Sequence, residues 1–204
     1  MITIVDYGLG NIRAFVNIYR RLNIPVEAAQ TAEELACASR IILPGVGAFD
    51  WAMARLNASG MRDTLDELVL GQGKPVLGIC VGMQMMAKSS EEGALPGLGW
   101  LDAEVCRFDV DGASNWAPRL PHMGWNDVHP LSSDGLFEGL EDVRCYFLHS
   151  YYLRPLAPAM TLATTDYHGA FTSAVRAGNI QGTQFHPEKS HEWGIGLLRN
   201  FGAQ

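Results

Sequence analysis

The sequence predicts an α/β fold in which helices cover both faces of a mostly parallel central sheet, with antiparallel additions in the second half of the chain. In the first half, short β-branched runs alternate with segments of helical periodicity, which is the pattern of a parallel sheet. In the second half, strand-like runs are separated only by turns rich in Gly, Pro and Asp. A chain of 204 residues with 48% hydrophobic residues can form one sizeable core, so we expect a single domain over residues 1–204.

Hydrophobic periodicity predicts the individual elements in order. A β-branched run at residues 2–6 ends at a glycine turn, after which Ile12, Phe15, Val16 and Tyr19 recur at helical spacing. The further elements predicted in the first half are strands at 26–29, 40–43 and 74–79 and helices at 61–70 and 81–88. Those predicted in the second half are strands at 103–108, 144–152, 160–164, 172–176 and 180–185 and a final helix at 193–201.

Composition and charge exclude several classes of function. The net charge is −7 and the basic residues are scattered, whereas binding to nucleic acid requires clustered Lys and Arg. We expect no membrane span, because no apolar run is long enough, and no secretion signal, because the N-terminal run lacks a basic lead-in. The four cysteines form no CxxC pair, which argues against a zinc or disulfide framework and favours a reducing cytoplasm.

One cysteine lies in a segment with the pattern of a nucleophile elbow. Residues 78–82 read GICVG, with Cys in place of the usual Ser, and the predicted strand, turn and helix supply the required context. Glycine allows the close backbone approach of such a turn, and the N-terminus of the following helix stabilises negative charge on the sulfur. We therefore predict that Cys80 is a nucleophile, and we interpret Cys37, Cys106 and Cys145 as small buried side chains.

The base expected for this nucleophile is His186, in the segment QFHPEKS. Pro187 favours an extended backbone at His186, and residues two apart in an extended segment project from the same side. Glu188 can therefore orient the imidazole, which predicts a Cys, His, Glu triad. HEWGI at 191–195 lacks the second His of a zinc-protease helix, so we expect no metal and no other cofactor. The histidines interpreted as structural or surface residues are His122, His129, His149, His168 and His191.

A second glycine-containing loop can supply hydrogen-bond donors. LPGVGAF at 43–49 follows the end of a predicted strand. A backbone N–H of Val46 or Gly47, together with that of Val81 after the nucleophile, can bind the oxyanion of a tetrahedral intermediate, with a contribution of about 3 kcal/mol per donor. Considered alone, the loop is equally compatible with a simple strand-to-helix turn.

Eight segments of the chain occur in an order that is typical of one family. They are DYGLGN, LPGVGAF, LGICVGMQ, SSEEG, HMGWN, HSYY, QFHPEKS and GLLRNF. With these segments the chain resembles the class I glutamine amidotransferases, which share the cysteine elbow and the HPE segment. Because LPGVGAF and HMGWN are typical of one branch, the chain is most similar to the HisH family, the glutaminase subunits of imidazole glycerol phosphate synthase. The similarity runs from residue 2 to residue 201 and implies the three-layer fold of the family.

The resemblance implies hydrolysis of L-glutamine. Cys80 would attack the side-chain amide to form a γ-glutamyl thioester, and His186 would protonate the departing ammonia and then activate water. Glu188 would orient His186. By the same matching, Gln84 and Glu92 would hold the glutamine head group, with the carboxylate of Glu92 pairing the substrate ammonium.

The resemblance also implies a partner, a (β/α)8 cyclase of the HisF type, in a heterodimer through which ammonia passes without meeting bulk water. Asn11, Trp125, Asn126 and Lys189 match positions expected near that interface. The PGVG loop is expected to reorient before Val46 donates to the oxyanion. The chain alone should consequently be a weak glutaminase.

Three other functions are compatible with parts of the sequence. Ammonia can instead serve the amidination of a surface-polysaccharide sugar, because the acceptor binds the other protein and GLGNIRAFVN departs from the pattern expected after DYG. A non-catalytic binding or scaffold subunit is a second alternative, against which the intact triad argues. Gly8, Leu9 and Gly10 begin like a dinucleotide-binding loop, but Arg13 stands where the third glycine is required.

Overall fold

The computed structural model describes residues 1–109 and 119–204 and has an eight-stranded sheet at its centre. The strands are β1 Ile2–Val5, β2 Val26–Ala29, β3 Ile41–Gly45, β4 Val76–Cys80, β5 Ser89–Ser90, β6 Ala103–Arg107, β7 His122–Asp127, β8 His129–Pro130, β9 Arg144–His149, β10 Tyr151–Pro155, β11 Thr161–Asp166, β12 Ala170–Ala177 and β13 Ile180–Thr183. The helices are α1 Ile12–Arg21, α2 Ala32–Leu35, α3 Phe49–Ala58, α4 Arg62–Asp66, α5 Val81–Gln84 and α6 His191–Ala203. A π turn, Glu67–Gly71, continues α4, and short 3-10 turns lie at Gly135–Phe137, Pro158–Met160 and Pro187–Lys189.

The main sheet confirms the predicted fold class. Its strand order is β2-β1-β3-β4-β13-β12-β11-β8, in which the first five strands are parallel and the last three are added antiparallel. Strands β1, β3, β4 and β13 consist entirely of buried residues, which is typical of a parallel sheet that is covered on both faces. The antiparallel strands come from the second half of the chain, as the turn-rich sequence predicts.

Two smaller sheets account for the main departures from the predicted strands. One contains β10, β6 and β5, and in the other β7 pairs with β9. The predicted strand at 144–152 is therefore two strands, which separate at Ser150 and enter different sheets. Strand β7 is absent from the predictions because Gly124 and Asn126 interrupt the apolar alternation of a strand.

The helices differ from the predictions mainly at their ends. Helix α5 ends at Gln84 instead of residue 88, because the chain must turn there to enter β5. The helix predicted over 61–70 consists of α4 and the π turn, and α3 is an additional helix whose exposed Trp51 obscures its buried face. Tyr19 of α1 donates to the carbonyl of Leu198 in α6 at 3.1 Å, which joins the first and last helices. No helix within the described ranges has the length and apolar content needed to cross a bilayer.

Candidate active site

Cys80, the candidate nucleophile, lies at the carboxyl end of β4. Gly45, at the end of the parallel strand β3, is its register partner. Cys80 has φ +53° and ψ −113°, which is a strained conformation for a residue with a side chain, and α5 begins at the next residue. The structure therefore contains the strand, sharp turn and helix that the elbow pattern predicts.

Glycine residues allow this turn to pack against β3. A β-carbon on Gly82 would lie 2.0 Å from the carbonyl oxygen of Leu43, and a β-carbon on Gly45 would lie 2.2 Å from the backbone nitrogen of Gly82. Both distances are far below van der Waals contact, so β3 and the start of α5 approach each other as bare backbone. Val81 is consequently fixed as the first residue of α5, where N–H groups have no acceptor inside the helix.

His186 is held in place by hydrogen bonds on both sides of its backbone. Its N–H donates to the carbonyl of Tyr146 at 2.9 Å. The hydroxyl of Ser190 donates to the carbonyl of His186 at 2.6 Å and accepts from the N–H of Tyr146 at 3.0 Å. The ring Nδ1 of His186 donates to Oε1 of Glu188 at 3.0 Å, and both side chains are almost completely buried. This contact leaves Nε2 as the ring nitrogen available to the sulfur.

The groups around the sulfur favour a protonated imidazole. Burial lowers the pKa of His186, but hydrogen bonds and charge interactions with Cys80 and Glu188 outweigh burial and raise it to about 10. Burial and, second, the charge of Cys80 raise the pKa of Tyr7, whose hydroxyl donates to the carbonyl of Pro44 at 2.7 Å. A cysteine beside a protonated histidine is the arrangement that supports a thiolate nucleophile.

These residues meet in a cavity of about 360 Å³. Cys80 is only 3% exposed, but it forms part of the cavity wall, so it lies at the boundary of the core. The cavity is lined by every residue predicted for catalysis, oxyanion binding or glutamine binding except Glu188, which contacts His186. These lining residues are Val46, Gly47, Cys80, Val81, Gln84, Glu92 and His186. Val46 and Gly47 form its rim, and Gly47 has φ +87°, which glycine adopts without strain.

The two residues predicted to hold glutamine are both hydrogen-bonded to the protein. Nε2 of Gln84 donates to the carbonyl of Tyr151 at 2.9 Å and to Oε1 of Gln184 at 3.0 Å. Oε2 of Glu92 accepts from the N–H of Phe49 at 2.9 Å. Because Phe49 is the first residue of α3, the carboxylate of Glu92 caps the helix that follows the PGVG loop.

Gln184 is a residue of this site that the sequence predictions omit. Its Nε2 lies 3.7 Å from Sγ of Cys80, and its side chain is fully buried. Gln184 precedes His186 by two residues, so the same period-two argument that links His186 with Glu188 could have identified it. His149 and Tyr151 also line the cavity, although nothing in their local sequence indicates this.

The four residues predicted at a partner interface occupy different environments. Lys189 is exposed and lines the cavity, and Asn11 is exposed immediately before α1. Trp125 on β7 is 38% exposed. Asn126 follows on the same strand, and its side chain is turned inward, where it donates to the carbonyl of Asp166 at 2.8 Å.

The other cysteines and histidines divide into buried and exposed groups. Cys106 and Cys145 are buried as predicted, and burial raises the pKa of each thiol. The interpretation of Cys37 as buried is wrong, because it is exposed in the turn after α2. Among the histidines interpreted as structural or surface residues, the buried ones are His122 and His149 and the exposed ones are His129, His168 and His191.

Comparison with known proteins identifies the family. Residues 3–204 match the family described as Glutamine amidotransferase class-I. Imidazole glycerol phosphate synthase subunit HisH of Bdellovibrio bacteriovorus is 60% identical over 203 residues, 98% of each chain, and that of Leptospira interrogans is 48% identical over 204 residues, 100% of each chain.

Solved structures share the fold at lower identity. One crystal structure of a glutamine amidotransferase gives a TM-score of 0.72 at 22% identity and covers 98% of each chain. Another, from Thermotoga maritima, gives 0.62 at 21% identity and covers 92% of this chain and 75% of that one. The chain therefore belongs to the class I glutamine amidotransferase family and, within it, to the HisH family.

Proposed function

We propose that the chain is the glutaminase subunit of an imidazole glycerol phosphate synthase. It hydrolyses L-glutamine to glutamate and ammonia and delivers the ammonia to a cyclase that makes imidazole glycerol phosphate in histidine biosynthesis. The observation that carries the proposal is the cavity in which Cys80 and His186 meet Gln84 and Glu92. The full-length similarity to subunits named for that synthase supports the pathway.

The reaction has two halves that use the same histidine. Sγ of Cys80 attacks the side-chain amide carbon, and the carbonyl electron pair moves to oxygen. Protonated His186 gives its Nε2 proton to the amide nitrogen, so that collapse expels ammonia and leaves a γ-glutamyl thioester. Neutral His186 then takes a proton from water, whose oxygen attacks the thioester, and glutamate leaves as the thiolate is restored. Glu188 keeps Nδ1 protonated throughout, so Nε2 is the nitrogen that exchanges the proton.

Glu92 and Gln84 suit the two ends of the glutamine head group. The carboxylate of Glu92 can pair the substrate ammonium in a charge-assisted hydrogen bond. One oxygen of that carboxylate, Oε2, already accepts from the N–H of Phe49, so a bound ammonium would share Glu92 with the first turn of α3. Binding of the substrate is thereby linked to the helix that follows the PGVG loop.

Two backbone donors complete the proposed site. The N–H of Val81 begins α5 beside the nucleophile and can stabilise the oxyanion without rearrangement. The second donor comes from Val46 or Gly47 after the loop reorients. A site that lacks its second donor in the resting state should hydrolyse glutamine slowly until a partner binds.

The surface beside the cavity suits a protein partner. Met123 and Leu148 are register neighbours across β7 and β9 and are 65% and 38% exposed, and Trp125 lies on the same outer face of β7. Exposed apolar and aromatic residues next to a cavity are typical of an interface. We propose that this face, with Asn11 and Lys189, docks a HisF-type (β/α)8 cyclase as a heterodimer.

The remaining alternatives have weaker support. The strained turn at Cys80 and the cavity beside it favour an enzyme over a scaffold subunit. The names of the full-length relatives favour the histidine pathway over sugar amidination. A β-carbon on Gly10 would lie 2.7 Å from the side chain of Pro44, so packing accounts for this glycine without a bound dinucleotide.

Ammonia release with and without the cyclase tests the proposal. We expect the cyclase and its nucleotide substrate to stimulate hydrolysis by the wild type. The Cys80→Ala variant should lose at least about 10⁴-fold in turnover and still bind the cyclase, whereas Cys37→Ser should behave as wild type. Substantial turnover by Cys80→Ala would contradict the nucleophile assignment, and hydrolysis that no cyclase stimulates would contradict the pathway.

A further inference from the structure

Behind Cys80, buried polar side chains form a hydrogen-bonded series in which only Gln84 has a role in the proposed reaction. Next to the sulfur, Nε2 of Gln184 lies 3.7 Å from Sγ, and Oε1 of Gln184 lies 3.0 Å from Nε2 of Gln84. Nε2 of Gln84 also lies 2.9 Å from the carbonyl oxygen of Tyr151. Gln84 and Gln184 are both buried, so the direction of these hydrogen bonds is set by protein groups.

The carbonyl of Tyr151 determines which end of each amide faces its neighbour. A carbonyl oxygen only accepts, so the amide of Gln84 must present its NH₂ group to Tyr151. The same NH₂ group reaches Gln184, which must therefore present its oxygen to Gln84. The NH₂ group of Gln184 is then left facing Sγ of Cys80. Gln184 consequently presents a hydrogen-bond donor to the sulfur, and the carbonyl oxygen of Leu148, at 4.0 Å, is a weaker contact on the sulfur.

The same carbonyl accepts a second hydrogen bond, from Nδ1 of His149 at 2.8 Å. Burial lowers the pKa of His149 to about 3, so the ring is neutral and its Nε2 must accept. Nδ1 of His122 donates to that nitrogen at 2.9 Å, and burial lowers the pKa of His122 to about 4. Nε2 of His122 in turn accepts from Nδ2 of Asn126 at 3.2 Å.

The series is anchored at its outer end. Nδ2 of Asn126 also donates to the carbonyl of Asp166 at 2.8 Å, and Oδ1 of Asn126 accepts from the N–H of Asp127 at 2.8 Å. These two contacts fix the amide of Asn126, and the tautomers of His122 and His149 follow from it. Asn126 and His122 lie on the inner face of β7, whose outer face carries Trp125.

We propose that Gln184 is a further catalytic residue, which donates a hydrogen bond to the sulfur of Cys80, and that His149 is a positioning residue, which holds in place the carbonyl of Tyr151, the group that sets the direction of that bond through Gln84. The proposal deepens the proposed function and rests on the assignment of Cys80 as the nucleophile. A donor at the sulfur stabilises the thiolate before glutamine arrives and again when water has added to the thioester and the tetrahedral intermediate expels the thiolate.

Alkylation of Cys80 by iodoacetamide tests the role of Gln184 without glutamine. The protein carries Cys37→Ser, because Cys37 is the exposed cysteine, and modification of Cys80 is followed by peptide mass spectrometry. The rate is measured at about pH 6 and about pH 10, below and above the range in which an ordinary thiol ionises. Within the described part of the chain, the titratable groups around the sulfur and its cavity are Tyr7, Glu92, His149, Tyr151, His186, Glu188 and Lys189, and the Gln184 variants leave all of them in place.

Two substitutions of Gln184 separate donation from packing. Gln184→Glu keeps the shape, replaces the donor by an acceptor and adds a negative charge beside the sulfur, and we expect the alkylation rate at about pH 6 to fall about tenfold with little change at about pH 10. The added charge opposes the thiolate by itself, so the loss of the donor alone is measured by Gln184→Met. Gln184→Met keeps the approximate volume, removes the donor and should produce a smaller loss in the same direction. A purely structural role would change both rates together. If the folded Gln184→Met variant keeps the wild-type ratio of the two rates, the proposal is overturned.

Two substitutions of His149 test the positioning role. His149→Phe keeps a ring among Phe108 and Phe171, whose centroids lie 5.4 and 5.3 Å from that of His149, but removes the donor to Tyr151. His149→Asn keeps an N–H donor near the position of Nδ1. We expect His149→Phe to lower the rate at about pH 6 at least threefold relative to His149→Asn, with thermal melting as the check on folding. Equal rates for the two variants would refute the positioning role, and the rate of glutamine hydrolysis by the wild type tests the proposed function separately.

Discussion

On one side of the cavity, backbone touches backbone: the nucleophile wall, formed by the ends of β3 and β4 and the start of α5, has no room for a β-carbon at Gly45 or Gly82. On the other side of the cavity, side-chain hydrogen bonds hold neighbouring strands and the segment of His186 together. This histidine wall, formed by β9, β10 and residues 184–190, depends on Ser190, Glu188 and the neutral ring of His149.

The two walls should therefore fail in different ways. The nucleophile wall depends on shape, so one added methyl group should disrupt it while a change of hydrogen-bonding capacity nearby should matter less. The histidine wall depends on the direction of its hydrogen bonds, so exchanging an acceptor for a donor should disrupt it even when the volume is unchanged. The variants below test this contrast.

The largest effect is expected from an isosteric change in the histidine wall. Glu188→Gln keeps the volume, but its amide can donate to Nδ1 of His186 and stabilise the wrong tautomer, in which Nε2 cannot accept a proton. We expect kcat for glutamine hydrolysis to fall on the order of 10³-fold, about 4 kcal/mol in the barrier, in steady-state assays of the complex with the proposed cyclase partner. Glu192→Gln, in the exposed first turn of α6, is the matched control and should have little effect.

The Glu188→Gln variant should also change the dependence of stability on pH. The folded-state pKa of His186 is raised from 6.5 to about 10, so the interactions of its charged ring stabilise the fold fully below about pH 6.5. That contribution disappears as the pH rises through about 10. Removing the charge of Glu188 should therefore lower the free energy of unfolding more at about pH 6 than at about pH 10, as measured by urea denaturation. An equal loss at both pH values would contradict the assigned charge interaction.

A smaller but still large effect is expected from one methyl group in the nucleophile wall. In Gly82→Ala the new β-carbon would lie 2.0 Å from the carbonyl oxygen of Leu43, so β3 and α5 must separate. We expect the free energy of unfolding to fall by about 3 kcal/mol. Gly60→Ala is the control, since Gly60 has φ +73° and no atom within 4 Å, and its cost of about 1 to 2 kcal/mol comes from backbone conformation alone. If urea denaturation gave the same loss of unfolding free energy for Gly82→Ala and Gly60→Ala, β3 and α5 would accommodate the added methyl group without cost, and the prediction would be wrong.

The nucleophile wall was also the wall that sequence reasoning could predict. Its strands are local apolar runs, and the glycines around Cys80 occur within five residues of sequence. The pairing of His186 with Glu188 could also be predicted from local sequence, because the extended segment that carries both residues sets the relative direction of their side chains. The position of α5 and the parallel pairing of β3 with β4 follow the predicted fold class.

The polar part of the histidine wall could not be predicted in this way. The hydrogen bond between His122 and His149 joins residues on different strands, and β7 itself is not evident from its sequence. The acceptor shared by His149 and Gln84 is the backbone carbonyl of Tyr151, and a backbone carbonyl has no sequence signature. The capping of Phe49 by Glu92 is hidden similarly, because it joins distant segments.

The smallest effect is expected on the outer face of the histidine wall. Trp125 is 38% exposed and its ring packs edge-on against those of Tyr146 and His191, with centroids 6.3 and 5.0 Å away. If this face docks the cyclase, Trp125→Ala should weaken the complex about tenfold, about 1.4 kcal/mol, in titration calorimetry. Leu70→Ala is the control, because Leu70 is 57% exposed but precedes the opposite end of β4. Equal affinities for the two variants would place the docking face elsewhere. A selective loss would mean that the partner binds one face of β7 while His122 and Asn126, on its other face, connect that strand to the nucleophile.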